Sequence, residues 1–475
     1  MRDLEGIVGK RHALSAPEDL LAYEYDATIE RARPDAVVFP ATTQEVAGVV
    51  RAARAHGVPI VPRGSGTGLA GGAVAIQGGV LCVLTRMNRI LEVDVRNRTA
   101  TVQPGVINLQ LQDAVAAHGL TYAPDPSSQR VCTIGGNVAT NSGGPHTLVH
   151  GSTVNHVLAI EVVLPDGRVT TLGSRVPDAP GLDLRGLFVG SEGTLGIATS
   201  VVVRLLPQAE AVRTLLAIFD SVEVASNAVT AVIAGGVIPV ALEMLDREII
   251  RAVQHSRDVG YPEDAGAVLL VEIEGLAESV EVQAARVTEA LRGAGVRDLR
   301  VASEAADRER LWEGRKSAIG AIGALAPNFY LLDGVVPRTK LPEVMRGVEE
   351  LAARYGFRCG NVFHAGDGNL HPNVMFDELE PGATERVLAL GGEILRLCVD
   401  AGGSITGEHG VGLEKRSYME WIFSPADLEA MRRAREAFGG DGLFNPCKVL
   451  PGGHGCAAAH SSELRSHLAT PGVYV

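Results

Sequence analysis

Residues 63–72, RGSGTGLAGG, place glycine at positions 64, 66, 68, 71 and 72 directly after the apolar run VPIVP. A stretch this poor in Cβ atoms exposes successive backbone N–H groups, and such a loop can cradle a pyrophosphate without side-chain obstruction. No Lys-Ser or Lys-Thr follows, which excludes a P-loop. The next residues, AVAIQGGVLCVLT, read as a strand where a dinucleotide-binding βαβ unit requires a helix. The loop therefore lies between strands. Two more clusters follow, TIGGNVATNSGG from Thr133 to Gly144 and GSEGTLG from Gly190 to Gly196. One glycine run alone reads as a turn or bulge. Three of them, interleaved with small hydroxyl and amide residues, describe an extended trough along which a dinucleotide can lie.

The surrounding pattern sets the fold class. Thr42 and Glu45 form a capping box, and Val46, Val49, Val50 and Ala53 recur at helical spacing up to Gly57. ILEVDV and TATVQPG read as a hairpin around Arg96-Asn97, a short helix spans Asn108 to His118, and His156 to Leu172 reads as strand, turn and strand around Pro165-Asp166-Gly167. Strands and helices mix without clean βαβ alternation, so residues 1–207 are expected to form one α+β unit. From 208 to 403 longer helical runs such as EVQAARVTEALRGAG alternate with strands such as AVLLVEIEG, which predicts a second domain. Residues 404–453 return to glycine turns and one helix, and 454–475 have weak pattern and are expected to be mobile.

In that second half, FHAGDGNLHPN and SITGEHGVG bring His364, His371, Glu408 and His409 into two glycine-rich segments. Four polar residues beside glycines can be ordinary loop residues. Two imidazoles and a carboxylate also suit a divalent ion that keeps positions open for substrate, with the remaining imidazole as a base beside it. Composition bounds the partners. A formal net charge of −13 with no offsetting Lys/Arg stripe argues against nucleic acid. Six cysteines without a C-x-x-C pair provide neither a disulfide framework nor an iron–sulfur run, and a reducing, cytoplasmic setting fits. No apolar run nears the ~20 residues of a membrane span, and the N-terminus has no signal-peptide core.

PRGSGTGLAGGA, PDPSS, TIGGNVATNSGG, Gly151-Ser152, GSEGTLGI, LWEGRKSA, Asp333-Gly334, FHAGDGNLHPN, ITGEHGVG and LFNPCK together resemble the flavoprotein oxidoreductases of the vanillyl-alcohol oxidase superfamily, from about Pro34 to Pro451. Within it they resemble the branch of glycolate oxidase FAD-binding subunits and D-lactate or D-2-hydroxyglutarate dehydrogenases. The resemblance implies a two-part flavin-binding domain with an α+β cap domain built on an antiparallel sheet. It implies that Arg63, Gly64, Ser65, Gly66, Thr67, Gly68 and Gly71 grip the FAD pyrophosphate. Pro124, Asp125, Ser127 and Ser128, then Gly135, Gly136, Asn137, Thr140, Asn141, Gly143 and Gly144, would run along the ribityl chain and flavin ring. Gly190, Glu192, Gly193, Gly196 and Ile197 would pack on the adenosine side, and Asn445 would approach the ring. Covalent relatives use a His or Cys near the first or second glycine segment. The first has neither, so non-covalent FAD is expected, with Cys132 and His146 read as structural.

By the same resemblance Arg315 pairs with the substrate carboxylate, although it also reads as a surface helix arginine. His364, His371 and Glu408 match metal ligands, with zinc, manganese and iron all open, and His409 matches the catalytic base. Cys447 stands where the family commonly has glycine. The implied reaction is oxidation of a small D-2-hydroxy acid (glycolate, D-lactate or D-2-hydroxyglutarate) to the 2-oxo acid. Electrons then pass to an iron–sulfur subunit, quinone or cytochrome, docking at the inner membrane face being open through that partner, as is a homo-oligomer. Three rivals stand beside it: a non-catalytic flavin-binding subunit of a larger dehydrogenase, a metallohydrolase, and a flavin enzyme of the same fold acting on phosphorylated ether-lipid precursors, for which the sequence shows no phosphate-binding basic cluster near the site.

Overall fold

The computed structural model describes residues 1–177, 180–302, 304–439 and 442–452. A four-stranded sheet comes first, in the order Ala13–Leu14, Ala36–Val38, Val80–Val83, Ile60–Arg63. Ile60–Arg63 and Val80–Val83 run parallel as neighbours. A parallel pair needs a long return connection, usually a helix; here residues 64–79 make the return as the glycine loop. The helix Thr43–Ala55 is started by the Thr42 hydroxyl, which accepts from Glu45 N at 3.1 Å, and it buries Val46, Val49, Val50 and Ala53. The far end of the chain comes back to this sheet. Ile60 N donates to Leu443 O at 2.8 Å and Asn445 N donates to Ile60 O at 2.7 Å.

A five-stranded antiparallel sheet follows, ordered Ile90–Asp94, Thr99–Val102, Ile197–Arg204, Val157–Val163, Val169–Gly173, and it contains both expected hairpins. The second glycine cluster departs from expectation: Ile134–Thr140 is a helix, not a loop. The Thr133 hydroxyl accepts from Gly136 N at 3.2 Å and Asn141 closes the helix at φ 53. Glycine at 135 is set by packing, since a Cβ there would stand 2.6 Å from Pro104.

From Ala211 onward the chain builds a nine-stranded sheet whose pairings are all antiparallel. Its strand Ala211–Phe219 is apolar on both faces. Leu215, Ala217 and Phe219 face the helices Val222–Ala234 and Ala277–Gly293, while Leu216 and Ile218 face Arg247–Ser256 and Ala305–Ile322. Helices on both faces leave no side of these strands for water, which is why the sequence there reads as a continuous apolar run. The architecture is therefore α+β, with mixed helices and antiparallel sheets. Cys82, Cys132, Cys359 and Cys398 are free thiols, whereas Cys447 is disulfide-bonded. Cys447 also has φ 65, the left-handed backbone that glycine adopts without strain.

Candidate active site

A cavity of about 710 Å³ runs from the first glycine loop to the second half of the chain. At one end its wall includes residues 62–70 with Gly72 and Ala73, then Ser127, Ser128, Gly135, Gly136, Asn137 and Thr140; at the other it includes Arg315, His371, Glu408 and His409. Gly68 and Gly72 are informative because their backbones have negative φ and a Cβ would meet nothing nearer than 3.8 and 3.6 Å. Glycine is needed at neither by the protein itself; a side chain there would stand in the cavity. That is the expected property of a cradle for a bound group.

The first loop is held by Arg63, whose Nη1 donates to Tyr25 O at 2.6 Å and whose burial pulls its pKa down. Glu192 lies on the wall, but both its oxygens accept backbone N–H groups, Val411 N at 2.7 Å and Gly412 N at 2.9 Å. It therefore ties the GEHGVG segment to the trough. Asn445 is likewise occupied, donating to Gly72 O at 2.8 Å and Glu192 O at 2.7 Å. Gly193 is on the wall, whereas Gly71, Pro124, Asp125, Asn141, Gly143, Gly144, Gly190, Gly196, Ile197 and Asn445 are not. Asp125 binds His146 Nδ1 at 2.6 Å, and Asn141 Oδ1 accepts from Ser152 Oγ and Val154 N. These residues shape the trough from behind.

At the far end, His364 comes from the strand Arg358–His364, His371 from the start of the next hairpin arm, and Glu408-His409 from the turn after Ile405. Glu408 Oε1 lies 3.3 Å from His364 Nε2 and 3.4 Å from His371 Nε2. Ligand atoms of these three side chains all fall within 4.8 Å of one another, as do those of Asp333, His371 and His409. His371 stacks on His409 with ring centroids 4.9 Å apart. His371 Nε2, His409 Nδ1 and Arg315 Nη2 are buried with no hydrogen-bond partner among the described residues. Buried polar atoms are normally satisfied, so three orphans in one place point to groups that a bound species completes.

Two acids organise this end: Glu243, which sequence reasoning missed, and Asp333, which it named only as part of a motif without a role. Glu243, fully buried on the strand Ala241–Asp246, accepts from Arg315 Nε at 2.6 Å and binds His364 Nδ1 at 2.8 and 2.9 Å. The carboxylate on Nδ1 keeps a proton there, so that Nε2, which points at Glu408, is the atom that would give up its proton to bind a metal. Arg315 is only 2% exposed, so it is not a surface helix arginine. Asp333, also fully buried, accepts from the backbone N–H groups of Gly407, Glu408 and His409 at 3.1, 3.2 and 3.0 Å and from Lys415 Nζ at 3.1 Å. The signal was visible in principle: one acid inside an apolar run, in VALEML and in YLLDGVV.

The electrostatics follow from these contacts. Burial disfavours a charged Glu408, but His364, His371 and His409 outweigh it and hold its carboxyl down at about 2. Burial drives His409 down to about 4, with Asp333 opposing, so its ring is neutral near pH 7 and can accept a proton. Burial disfavours a charged His364, but Glu243 and Glu408 on either side outweigh it and hold its pKa well above the usual value, so a positive charge belongs between these carboxylates. A divalent cation on His364, His371 and Glu408 would supply that charge in place of the proton and would complete the orphaned His371 Nε2.

Comparison with known proteins extends the reading. Residues 208–449 match the family model of FAD linked oxidases, C-terminal domain, and residues 34–173 match that of the FAD binding domain. Glycolate oxidase subunit GlcD of Escherichia coli (strain K12) is 48% identical over 96% of this chain and 92% of its own length. D-lactate dehydrogenase of Anaerostipes hadrus is 34% identical over 88% and 90%. Among solved structures, p-cresol methylhydroxylase with substrate bound superposes with TM-score 0.80 at 18% identity, covering 94% of this chain and 95% of that one, a likeness of fold alone.

Proposed function

The chain belongs to the FAD-linked oxidases, as an FAD-dependent hydroxy-acid oxidoreductase of the vanillyl-alcohol oxidase type, and from that premise we propose that it oxidises a small D-2-hydroxy acid to the 2-oxo acid. The observation that carries the proposal is the meeting of Arg315, His409 and the His364–His371–Glu408 cluster at the end of the glycine-lined cavity.

Loss of the hydroxyl proton and of hydride from C2 converts the alcohol to the carbonyl of the 2-oxo acid. FAD held by the glycine-lined trough would supply the two-electron acceptor for that hydride. His364, His371 and Glu408 would hold a divalent cation, which would supply positive charge against the developing alkoxide. The protein's own part is positioning and proton transfer. Arg315, braced through Nε by Glu243, offers its free Nη2 to the substrate carboxylate. His409, neutral and pinned at its backbone N–H by Asp333, takes the hydroxyl proton. Residues 1–207 would bind FAD, 208–403 would cap the substrate, and 404–453 would complete both. A metallohydrolase would use the cluster but leaves the trough unexplained, and a non-catalytic flavin subunit would not require Arg315 and His409 in the wall.

Electrons must then leave the flavin. The relative named glycolate oxidase subunit is by that name part of an assembly, and an iron–sulfur subunit, quinone or cytochrome is the acceptor we propose here. Among the described residues no helix is long and apolar enough to cross a membrane, so membrane proximity would come through that partner. The test is dye reduction by the FAD-loaded chain with glycolate, D-lactate or D-2-hydroxyglutarate, before and after chelation. Activity lost on chelation and restored by zinc, manganese or iron supports the metal; activity indifferent to chelation refutes it.

A further inference from the structure

The reaction leaves open what the second substituent on C2 can be, and the cavity wall speaks to it. Resting on the hydroxy-acid reading, we infer that the site takes acids whose C2 substituent is uncharged and rejects those carrying a second carboxylate.

Arg315 and Ile319 are four residues apart on the helix Ala305–Ile322 and so share a face. Phe329 and Leu331 are two apart on the strand Asn328–Leu331 and share the opposite kind of repeat, one face of a strand, while Tyr330 between them packs into the core. That strand pairs antiparallel with Pro372–Phe376; Leu331 is opposite Asn373 and Leu332 N donates to Pro372 O at 3.0 Å. The Phe329/Leu331 face therefore runs beside His371. Ile319, Phe329 and Leu331 all line the cavity with Arg315 and His371. A substrate whose carboxylate meets Arg315 and whose hydroxyl points to the histidines turns its remaining substituent onto this apolar wall.

Among the described residues the cavity wall carries three Lys or Arg side chains, Arg63, Arg315 and Lys316. Arg63 belongs to the glycine loop and is bonded to Tyr25 O. Arg315 already faces Glu243 and would be occupied by the substrate's own carboxylate. Lys316 is exposed, with its Nζ 5.8 Å from the ring centroid of Trp312, one helical turn towards the N-terminus, whereas Ile319 lies towards the C-terminus. A distal carboxylate would thus face the apolar carbon of Ile319, Phe329 and Leu331, with Lys316, exposed and set beside Trp312, the one remaining cation on the described wall, and Glu408 on the same wall adds repulsion. Desolvating an unpaired charge is a far larger penalty than a methyl group's misfit.

The experiment compares kcat/KM of the FAD-loaded enzyme for D-lactate, D-2-hydroxypentanoate and D-2-hydroxyglutarate. The last two have the same chain length and differ in a terminal methyl against a carboxylate. The expected ratio in favour of D-2-hydroxypentanoate is about 100-fold or more. Leu331→Lys should raise D-2-hydroxyglutarate turnover at least about tenfold relative to D-2-hydroxypentanoate, and Lys316→Met should leave the wild-type ratio unchanged. A wild-type ratio near one, or loss of D-2-hydroxyglutarate oxidation on Lys316→Met, overturns the inference and leaves the hydroxy-acid reading standing. Failure of all three acids, and of glycolate, to reduce the flavin overturns both.

Discussion

His409 and Glu243 make different kinds of contribution, and substitution separates them. His409 accepts the proton, so His409→Ala should slow flavin reduction by about 10²–10⁴-fold while FAD stays bound, read by anaerobic stopped-flow absorbance. Wild-type-like reduction would remove it from the mechanism. Glu243 touches neither flavin nor substrate in this account; it orients His364 and Arg315 together. Glu243→Gln keeps the size but can no longer neutralise Arg315 or accept at both oxygens. Metal affinity and kcat/KM should both fall by about 10–100-fold. A fall in kcat/KM with metal affinity untouched would mean that only the Arg315 contact counts. The histidines were legible in the sequence because two short glycine-rich motifs carry them, whereas Arg315 stood out only through the family resemblance. Glu243 was not, because its partners lie 72 and 121 residues away and only the folded sheet brings them into contact.

At the level of elements, the turn at 406–412 is built around one carboxylate. Asp333 gathers three successive N–H groups of that turn and the Lys415 ammonium, so the aim of Glu408 and His409 depends on it. Burial disfavours its charge, yet His409 and Lys415 hold its carboxyl well below the usual range. Asp333→Asn would leave Lys415 buried without its counter-charge and should cost about 3–5 kcal/mol, measured by urea unfolding. A loss under about 1 kcal/mol would show that the turn holds itself. Hairpins and capped helices were readable here because turn residues and periodicity act locally. The helix Ile134–Thr140 was misread because its glycines suggest a loop, whereas the Thr133 cap and close packing against Pro104 settle it as a helix.

Across the whole molecule, the trough and the nine-stranded sheet meet through His146. Its Nδ1 binds Asp125 at 2.6 Å and its Nε2 lies 3.4 Å from Glu272 on the strand Ala267–Gly275. Burial disfavours the charged ring, but Asp125 and Glu272 together reverse this and push it up to about 10. A raised histidine contributes stability that is full below pH 6.5 and is lost as pH rises through 10. His146→Gln should therefore be less stable than wild type by about 1.5–3 kcal/mol at pH 6, with the gap closing towards pH 10, followed by thermal unfolding across that range. A gap independent of pH would mean that the ring acts by packing alone. The α+β class and the trough could be read from glycine placement and strand pattern, since both are local. How the last segment returns to the first sheet through Phe444 beside Ile60 could not, because one parallel bridge leaves no periodic trace.

The most direct test is an anaerobic titration of the FAD-loaded, metal-replete chain with D-lactate, followed in the visible flavin band. One equivalent of acid per flavin should bleach the wild type, with no bleaching on the same timescale in His409→Ala. A flavin band that no short 2-hydroxy acid bleaches, with FAD and metal both bound, would contradict the hydroxy-acid reading.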